Sequence, residues 1–186
     1  QFYICSGIIL VMLFSGFLLG GFSMQEENGL SVMLRRFGIN RLYSGFCRTL
    51  AVSLVYSCIF ITAFAFIHLI TPINILCIFL GTAVCISYIF MIYTIAGNGL
   101  YGMLLLFCTN VVMAYCSGLI TPPAYLPKAA AFAGKLLPAG YVRDMLTVLF
   151  TGTFRPSAFV SCIFFTLLFI EESALCSTIR EMRNRK

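Results

Sequence analysis

Apolar residues in this chain come in long uninterrupted runs. Five stand out, at about 2–23, 47–70, 73–96, 100–119 and 154–176. Each approaches the roughly 20 residues that a helix needs, at ~1.5 Å rise per residue, to cross ~30 Å of hydrocarbon. The pattern predicts an all-α, polytopic transmembrane helix bundle of about five spans, forming a single domain over 1–186. Pro72 lies in a very short connection between the second and third runs, and Gly97-Asn98-Gly99 makes a tight hairpin between the third and fourth. Links this short make the helices they join antiparallel neighbours.

Two stretches break the pattern. The first, 119–156, is apolar but interrupted by Pro122, Pro123, Pro127, Gly134, Pro138, Gly140 and Gly152. A proline in a helix interior costs about 3 kcal/mol, so one continuous span is not expected. Two short helices fit, near 124–134 and 140–151, each rising only about 15 Å. Such pieces lie at the interface or dip in and return, and re-entrant backbone is tolerated only where protein or a cavity covers it.

The second is a charged block from Gln25 to Arg48. Leu30, Met33, Leu34 and Phe37 recur there at i, i+3, i+4 and i+7, one face of a helix. Glu26 and Glu27 lie at its start and Arg35-Arg36 in its last turn, as the helix dipole favours. Asn28 and Gly38 suit its two caps, and Asn40 can start the helix that follows. The block predicts a short amphipathic helix lying along the membrane surface.

Composition sharpens this. The chain is 61% hydrophobic and only 10% charged, far from the quarter charged of a soluble domain. The net charge of +6 is spread in small groups beside apolar runs, which fits membrane flanks and predicts no nucleic-acid partner. Four arginines sit in the charged block, and Arg180, Arg183, Arg185 and Lys186 close the chain. Four crossings between these groups put both on one side, the cytosol by the positive-inside rule. Lys128, Lys135, Arg143 and Arg155 then fall outside, against that rule. The first run starts at Phe2 with no basic region before it and is too long for a signal peptide, so it reads as a true span.

Candidate chemistry is sparse. Gly97-x-Gly99-x-x-Gly102 matches a dinucleotide fingerprint in letters, but no strand precedes it and the next acid is Asp144, so it reads as hairpin glycine. Gly16-x-x-x-Gly20 permits close helix approach, within the subunit or across a dimer. The nine cysteines are scattered without Cys-x-x-Cys and read as packing residues. His68, the single histidine, reads as an interfacial residue. No P-loop, His-Glu-x-x-His or metal spacing occurs, so neither an enzyme nor a bound cofactor is expected in this chain. Glu171 and Glu172 lie inside the last run, where charges are costly and often functional. They read as solvated or partner-contacting residues near its cytosolic end, or as a pathway or helix-pairing element.

The order of these features resembles the membrane subunit of a type-2 ATP-binding-cassette exporter. Glu26-Glu27-x-Gly29-Leu30 precedes the amphipathic helix and an arginine-rich turn into a long span. Ser117-Gly118-x-x-x-Pro122, Leu126-Pro127 and Leu137-Pro138-x-x-Tyr141 follow before the last span. The resemblance covers nearly the whole chain, offset by a missing first span. The doubled Pro122-Pro123 and the Glu171-Glu172 pair depart from the family pattern.

The resemblance implies that 24–44 is a coupling segment, with Glu26, Glu27, Gly29, Leu30, Met33, Leu34, Arg35, Arg36 and Phe37 meeting a cytosolic ATP-binding subunit. It implies that Ser117, Gly118, Pro122, Leu126, Pro127, Leu137, Pro138 and Tyr141, in an extracellular re-entrant segment over 119–156, form an outer gate. It further implies a second permease subunit, identical or different, in a bacterial cell membrane, with ATP and Mg bound by the partner ATPase. A secondary transporter or channel using Glu171, Glu172 and Arg143 is the competing expectation, and a membrane scaffold without substrate flux is a third.

Overall fold

The structure is a computed structural model that describes residues 2–17, 41–65, 71–152 and 155–184. The helices, in chain order, are α1 (Phe2–Phe14), α2 (Arg41–Ala65), α3 (Pro72–Ala96), α4 (Gly99–Cys116), α5 (Lys128–Gly134), α6 (Pro138–Leu146), α7 (Val148–Thr151) and α8 (Pro156–Asn184), with a 3-10 turn at Pro123–Tyr125. Among the described residues, α2, α3, α4 and α8 are long and apolar enough to cross a bilayer, the make-up of a multi-pass membrane protein.

Local chemistry sets the ends of α3 and α4. Thr71 caps α3 by accepting the Asn74 N–H at 3.3 Å, and Pro72 occupies the first turn, where its missing N–H costs nothing. Gly97 ends α3 in the left-handed region at φ 70°, donating its N–H to the Tyr93 carbonyl at 3.0 Å. Asn98 then starts α4 by accepting the Leu100 N–H at 3.2 Å. The glycine triplet is thus a helix–helix turn. Gly102, its last member, leaves room for the Tyr93 ring, which a Cβ would strike.

α3 is the axis of the bundle. In its most apolar window 83% of residues are buried, against 17–28% in the other three long helices. Ser57 and Thr82 share a hydrogen bond at 2.9 Å while Arg48 lies 4.1 Å over the Phe90 ring, so α2 runs antiparallel to α3. Tyr88 packs on Phe169 at 5.6 Å and Thr94 meets Ser173 at 3.1 Å, so α8 runs parallel to it. α4 returns antiparallel through the hairpin, with Tyr88 donating to Thr109 at 2.6 Å.

Polarity is arranged inside out. The buried stripe of α2 is Thr49, Ser53 and Ser57, while Leu54, Val55 and Ile59 face outward. A helix in water would reverse this. In lipid, small hydroxyl residues belong at helix contacts, where they hydrogen-bond and let backbones approach, and aliphatic side chains belong outside.

Several expected boundaries need correction. Of the first run, expected over 2–23, the described residues hold α1, a 13-residue helix about 20 Å long, then a turn at Ser15 and helix again at 16–17. Its carbonyls there are taken by side chains. Ser15 Oγ donates to Met12 at 2.6 Å, Asn110 to Leu13 at 3.0 Å and Tyr93 to Gly16 at 3.2 Å. Residues 18–23 lie outside the described residues. α2 begins before the expected 47, and α8 continues past 176 because Ser177 to Asn184 carry no helix breaker. The pair of short helices expected in 119–156 is a 3-10 turn and three helices. Pro127 and Pro138 each fix a helix start, and Thr147, whose hydroxyl donates to the Asp144 carbonyl at 2.6 Å, separates α6 from α7.

Gly102→Val is expected to drive the Tyr93 ring off its seat and break its bond to the Gly16 carbonyl. Overpacking of this kind costs roughly 1–3 kcal/mol. Thermal unfolding in detergent should show a lowered midpoint for Gly102→Val and a smaller loss for Tyr93→Phe.

Candidate functional site

α4 ends, and α8 begins, toward the Pro72 end of α3, because one runs antiparallel and the other parallel to it. The chain between them therefore leaves and re-enters the bundle at the same end. This excursion holds the Ser117–Tyr141 set singled out in the sequence.

Its entry is a helix cap. Gly118 adopts φ 70°. Its N–H donates to the Tyr115 carbonyl at 3.1 Å, and the Leu119 N–H reaches back to Ala114 at 2.9 Å. This crossed pair is the Schellman arrangement, which needs a left-handed residue and thus favours glycine. Leu119 is buried beside it, at 2% exposure. Ser117-Gly118 of the motif is thus a physical stop for α4.

Beyond the cap, α5 folds back onto the end of α4. A Cβ on Gly134 would run into the Cys116 carbonyl, and one on Gly140 would sit 3.2 Å from the Gly134 carbonyl. Leu137 and Pro138 start α6, with Pro138 buried in its first turn. Tyr141 donates its hydroxyl to the Lys135 carbonyl at 2.7 Å, closing the α5–α6 bend, and its ring lies 5.8 Å from Phe165 of α8. Leu126 and Pro127 fall at the break before α5, and Pro122 precedes the 3-10 turn.

α6 is the part that enters the bundle. Val142, Met145 and Leu146 are fully buried and lie against Gly81, nine residues into α3. Pro138, with Leu13, Val84, Cys85, Tyr88, Met113 and Val142, lines a small apolar void. The Cys5 thiol donates to the Leu146 carbonyl at 3.7 Å, tying α1 to the same helix.

One charged cluster fastens the excursion at both ends. Arg143 donates to the Ser117 carbonyl at 2.7 Å and the Gly118 carbonyl at 3.4 Å. The same guanidinium holds Asp144 through two donors, at 2.8 and 3.0 Å. Asp144 also faces Arg155, ahead of α8, at 3.9 Å. Arg143 is largely buried, at 14% side-chain exposure, and Arg155 is open. The end of α4, the middle of the excursion and the approach to α8 are linked by these two adjacent residues.

The remaining candidates lie elsewhere. Glu26, Glu27, Gly29, Leu30, Met33, Leu34, Arg35, Arg36 and Phe37 fall outside the described residues, as do His68 and Gly20. Gly16 packs within the subunit, where a Cβ would meet Leu106 and Ile89 at 2.7–2.9 Å. Glu171 and Glu172 are exposed on α8. They lie roughly 22 Å along that helix from its start, at the level of Thr94, so they do not meet Arg143. Among the described residues no group of three His, Cys, Asp or Glu side chains is placed to hold a metal. The cap by Arg143 and the close approach at Gly134 were not read from the sequence. An arginine in the middle of an apolar, proline-punctuated stretch is the signal that points to the first.

No family model matches this chain, and no curated protein or solved structure matches it.

Arg143→Met removes the donor to two carbonyls and leaves Asp144 with Arg155 alone. The expected loss is about 2 kcal/mol, since hydrogen bonds to charged groups contribute about 1.5–3 kcal/mol each and partial exposure reduces the net effect. With Cys5 as the sole thiol, its labelling by a small methanethiosulfonate should be slow in the parent and faster in Arg143→Met. Equal rates would remove Arg143 from any role in seating α6.

Proposed function

We infer that this chain is the membrane-spanning permease subunit of an ATP-binding-cassette exporter, coupled to a separate cytosolic ATPase. The observation that carries this reading is the Ser117–Tyr141 signature, whose residues gather in one excursion that enters and leaves the bundle at a single end. In this reading the chain crosses the bilayer five times, 24–44 is the cytosolic coupling helix, and two permease subunits flank the pathway. The Pro72 end faces outward, in a bacterial cell membrane.

The mechanism follows from the parts. ATP binding in the partner moves the coupling segment through Glu26, Glu27 and the Arg35-Arg36 end. α1 and α2 flank that segment in the chain, and both pack on α3. Movement of α3 against α6 at Gly81 is how the cytosolic end reaches the outer gate. α6 meets α3 through the packing of Val142, Met145 and Leu146, while its Arg143 and Asp144 tie it to the end of α4 and the approach to α8. The chain itself hydrolyses nothing, and ATP and Mg belong to the partner.

A secondary transporter built on Arg143, Glu171 and Glu172 is disfavoured by their separation toward opposite ends of the bundle. Glu171 and Glu172 suit a solvated or partner-contacting position at the cytosolic end.

The Glu26→Ala/Glu27→Ala double variant should insert at the parental level yet lose ATP-dependent efflux by about tenfold or more, the scale of a coupling free energy of 1–3 kcal/mol. Efflux equal to the parent, measured in inverted vesicles at matched protein level, would count against the coupling role.

A further inference from the structure

The turn between α3 and α4 brings a reactive dipeptide into the open. Gly97, Asn98 and Leu100 are exposed and Gly99 is half-buried. The reactive pair is Asn98-Gly99. A backbone nitrogen that follows an asparagine can attack the side-chain amide and close a five-membered imide. Glycine offers that nitrogen without a side chain to shield it. Asn28-Gly29 is a second such pair and lies outside the described residues.

The fold leaves the nucleophile free and activates the carbonyl. Gly99 is the first residue of α4, and the first N–H groups of a helix have no partner within it. Asn98 Oδ1 accepts the Leu100 N–H at 3.2 Å. That bond holds the amide at the start of α4. It also presents a donor to the oxygen on which negative charge develops when Cγ is attacked. Attack needs rotation about the Asn98 Cα–C bond, and a glycine on each side gives the turn that freedom. Asn74 and Asn110 are the contrast, at 5% and 0% exposure and followed by Ile75 and Val111. The Ile75 N–H is already bonded to the Thr71 carbonyl at 3.1 Å, and Val111 lies in the interior of α4.

We propose that Asn98 is a site of spontaneous deamidation in the folded protein, with the Gly99 backbone nitrogen as nucleophile and water as co-reactant. Hydroxide takes the Gly99 N–H proton, and the nitrogen forms a bond to Asn98 Cγ. The tetrahedral adduct collapses, the Cγ–Nδ2 bond breaks, and Nδ2 takes a proton from water and leaves as ammonia. Water then opens the imide, and its oxygen ends in the new carboxylate. Breaking the bond from Cγ to the Gly99 nitrogen gives aspartate, which keeps the cap and adds a negative charge. Breaking the bond from the main-chain carbonyl carbon gives isoaspartate, which routes the chain through the side chain. The carbonyl that accepts the Gly102 N–H at 2.8 Å then becomes a free carboxylate off the path of the chain. The first turn of α4 is lost in that product, next to the seat of the Tyr93 ring at Gly102.

The test incubates the full chain, folded in detergent, in water enriched in heavy oxygen, with peptide mapping by mass spectrometry at intervals. Circular dichroism checks that the chain stays helical throughout. The peptide carrying Asn98 should gain one heavy oxygen at a rate that rises in proportion to hydroxide, while Asn74 and Asn110 stay unlabelled. Gly99→Ala keeps a good helix former at the start of α4 and should slow the labelling several-fold or more. No label at Asn98 in the folded chain would overturn the proposal, as would an unchanged rate in Gly99→Ala. Label at Asn110 as fast as at Asn98 would overturn it too, because the fold would then not select the site.

Discussion

A helix that stops inside an apolar bundle leaves its last carbonyls without water to satisfy them, and each unmet group in such surroundings is costly. The excursion is organised around the end of α4, where this difficulty arises. Gly118 turns the chain so that its own N–H and that of Leu119 meet two of the last carbonyls. Arg143 covers the carbonyls of Ser117 and Gly118, and Gly134 allows α5 to come down on Cys116. Without these three devices the chain would have to continue as helix or emerge into water.

The same constraint links the two ends of the molecule. From Leu80 to Thr94 α3 is buried on all sides, and it carries contacts from α1, α2, α4, α6 and α8. Its partners are chosen by small or hydroxyl-bearing residues: Gly81 for α6, Thr82 for α2, Thr94 for α8. α3 meets the excursion at Gly81 and α8, toward the opposite end, at Thr94. A permease would use such an axis to connect an ATPase to an outer gate, and the proposed function rests on that connection together with the Ser117–Tyr141 signature.

Much of the helical layout was legible because lipid imposes long apolar runs, and because Thr71-Pro72 and Gly97-Asn98 carry their capping chemistry in their side chains and backbone preferences. The prolines placed the breaks in the excursion to within a few residues. Less legible was anything decided by contact across the chain. At the interruption of α1 near Ser15 the Leu13 and Gly16 carbonyls are met by Asn110 and Tyr93, which are distant in sequence and announce nothing locally. Arg143 looked like a misplaced outward charge until Ser117 and Gly118 were found beside it. Gly134 was read as a helix breaker, yet it ends α5 at the point where only a hydrogen side chain fits against Cys116. The two glutamates were expected close to the cytosolic end of their run, yet α8 continues to Asn184 and leaves them exposed near its middle.

The proposed function requires a separate ATP-hydrolysing subunit bound to this chain. The most direct measurement is isolation of the full chain from its native membrane in mild detergent, followed by identification of the chains bound to it and assay of ATP hydrolysis. The account predicts a tightly bound chain carrying a P-loop and vanadate-sensitive ATPase activity in the isolated complex. An intact chain that sustains ion-gradient-driven flux with no such partner would contradict it.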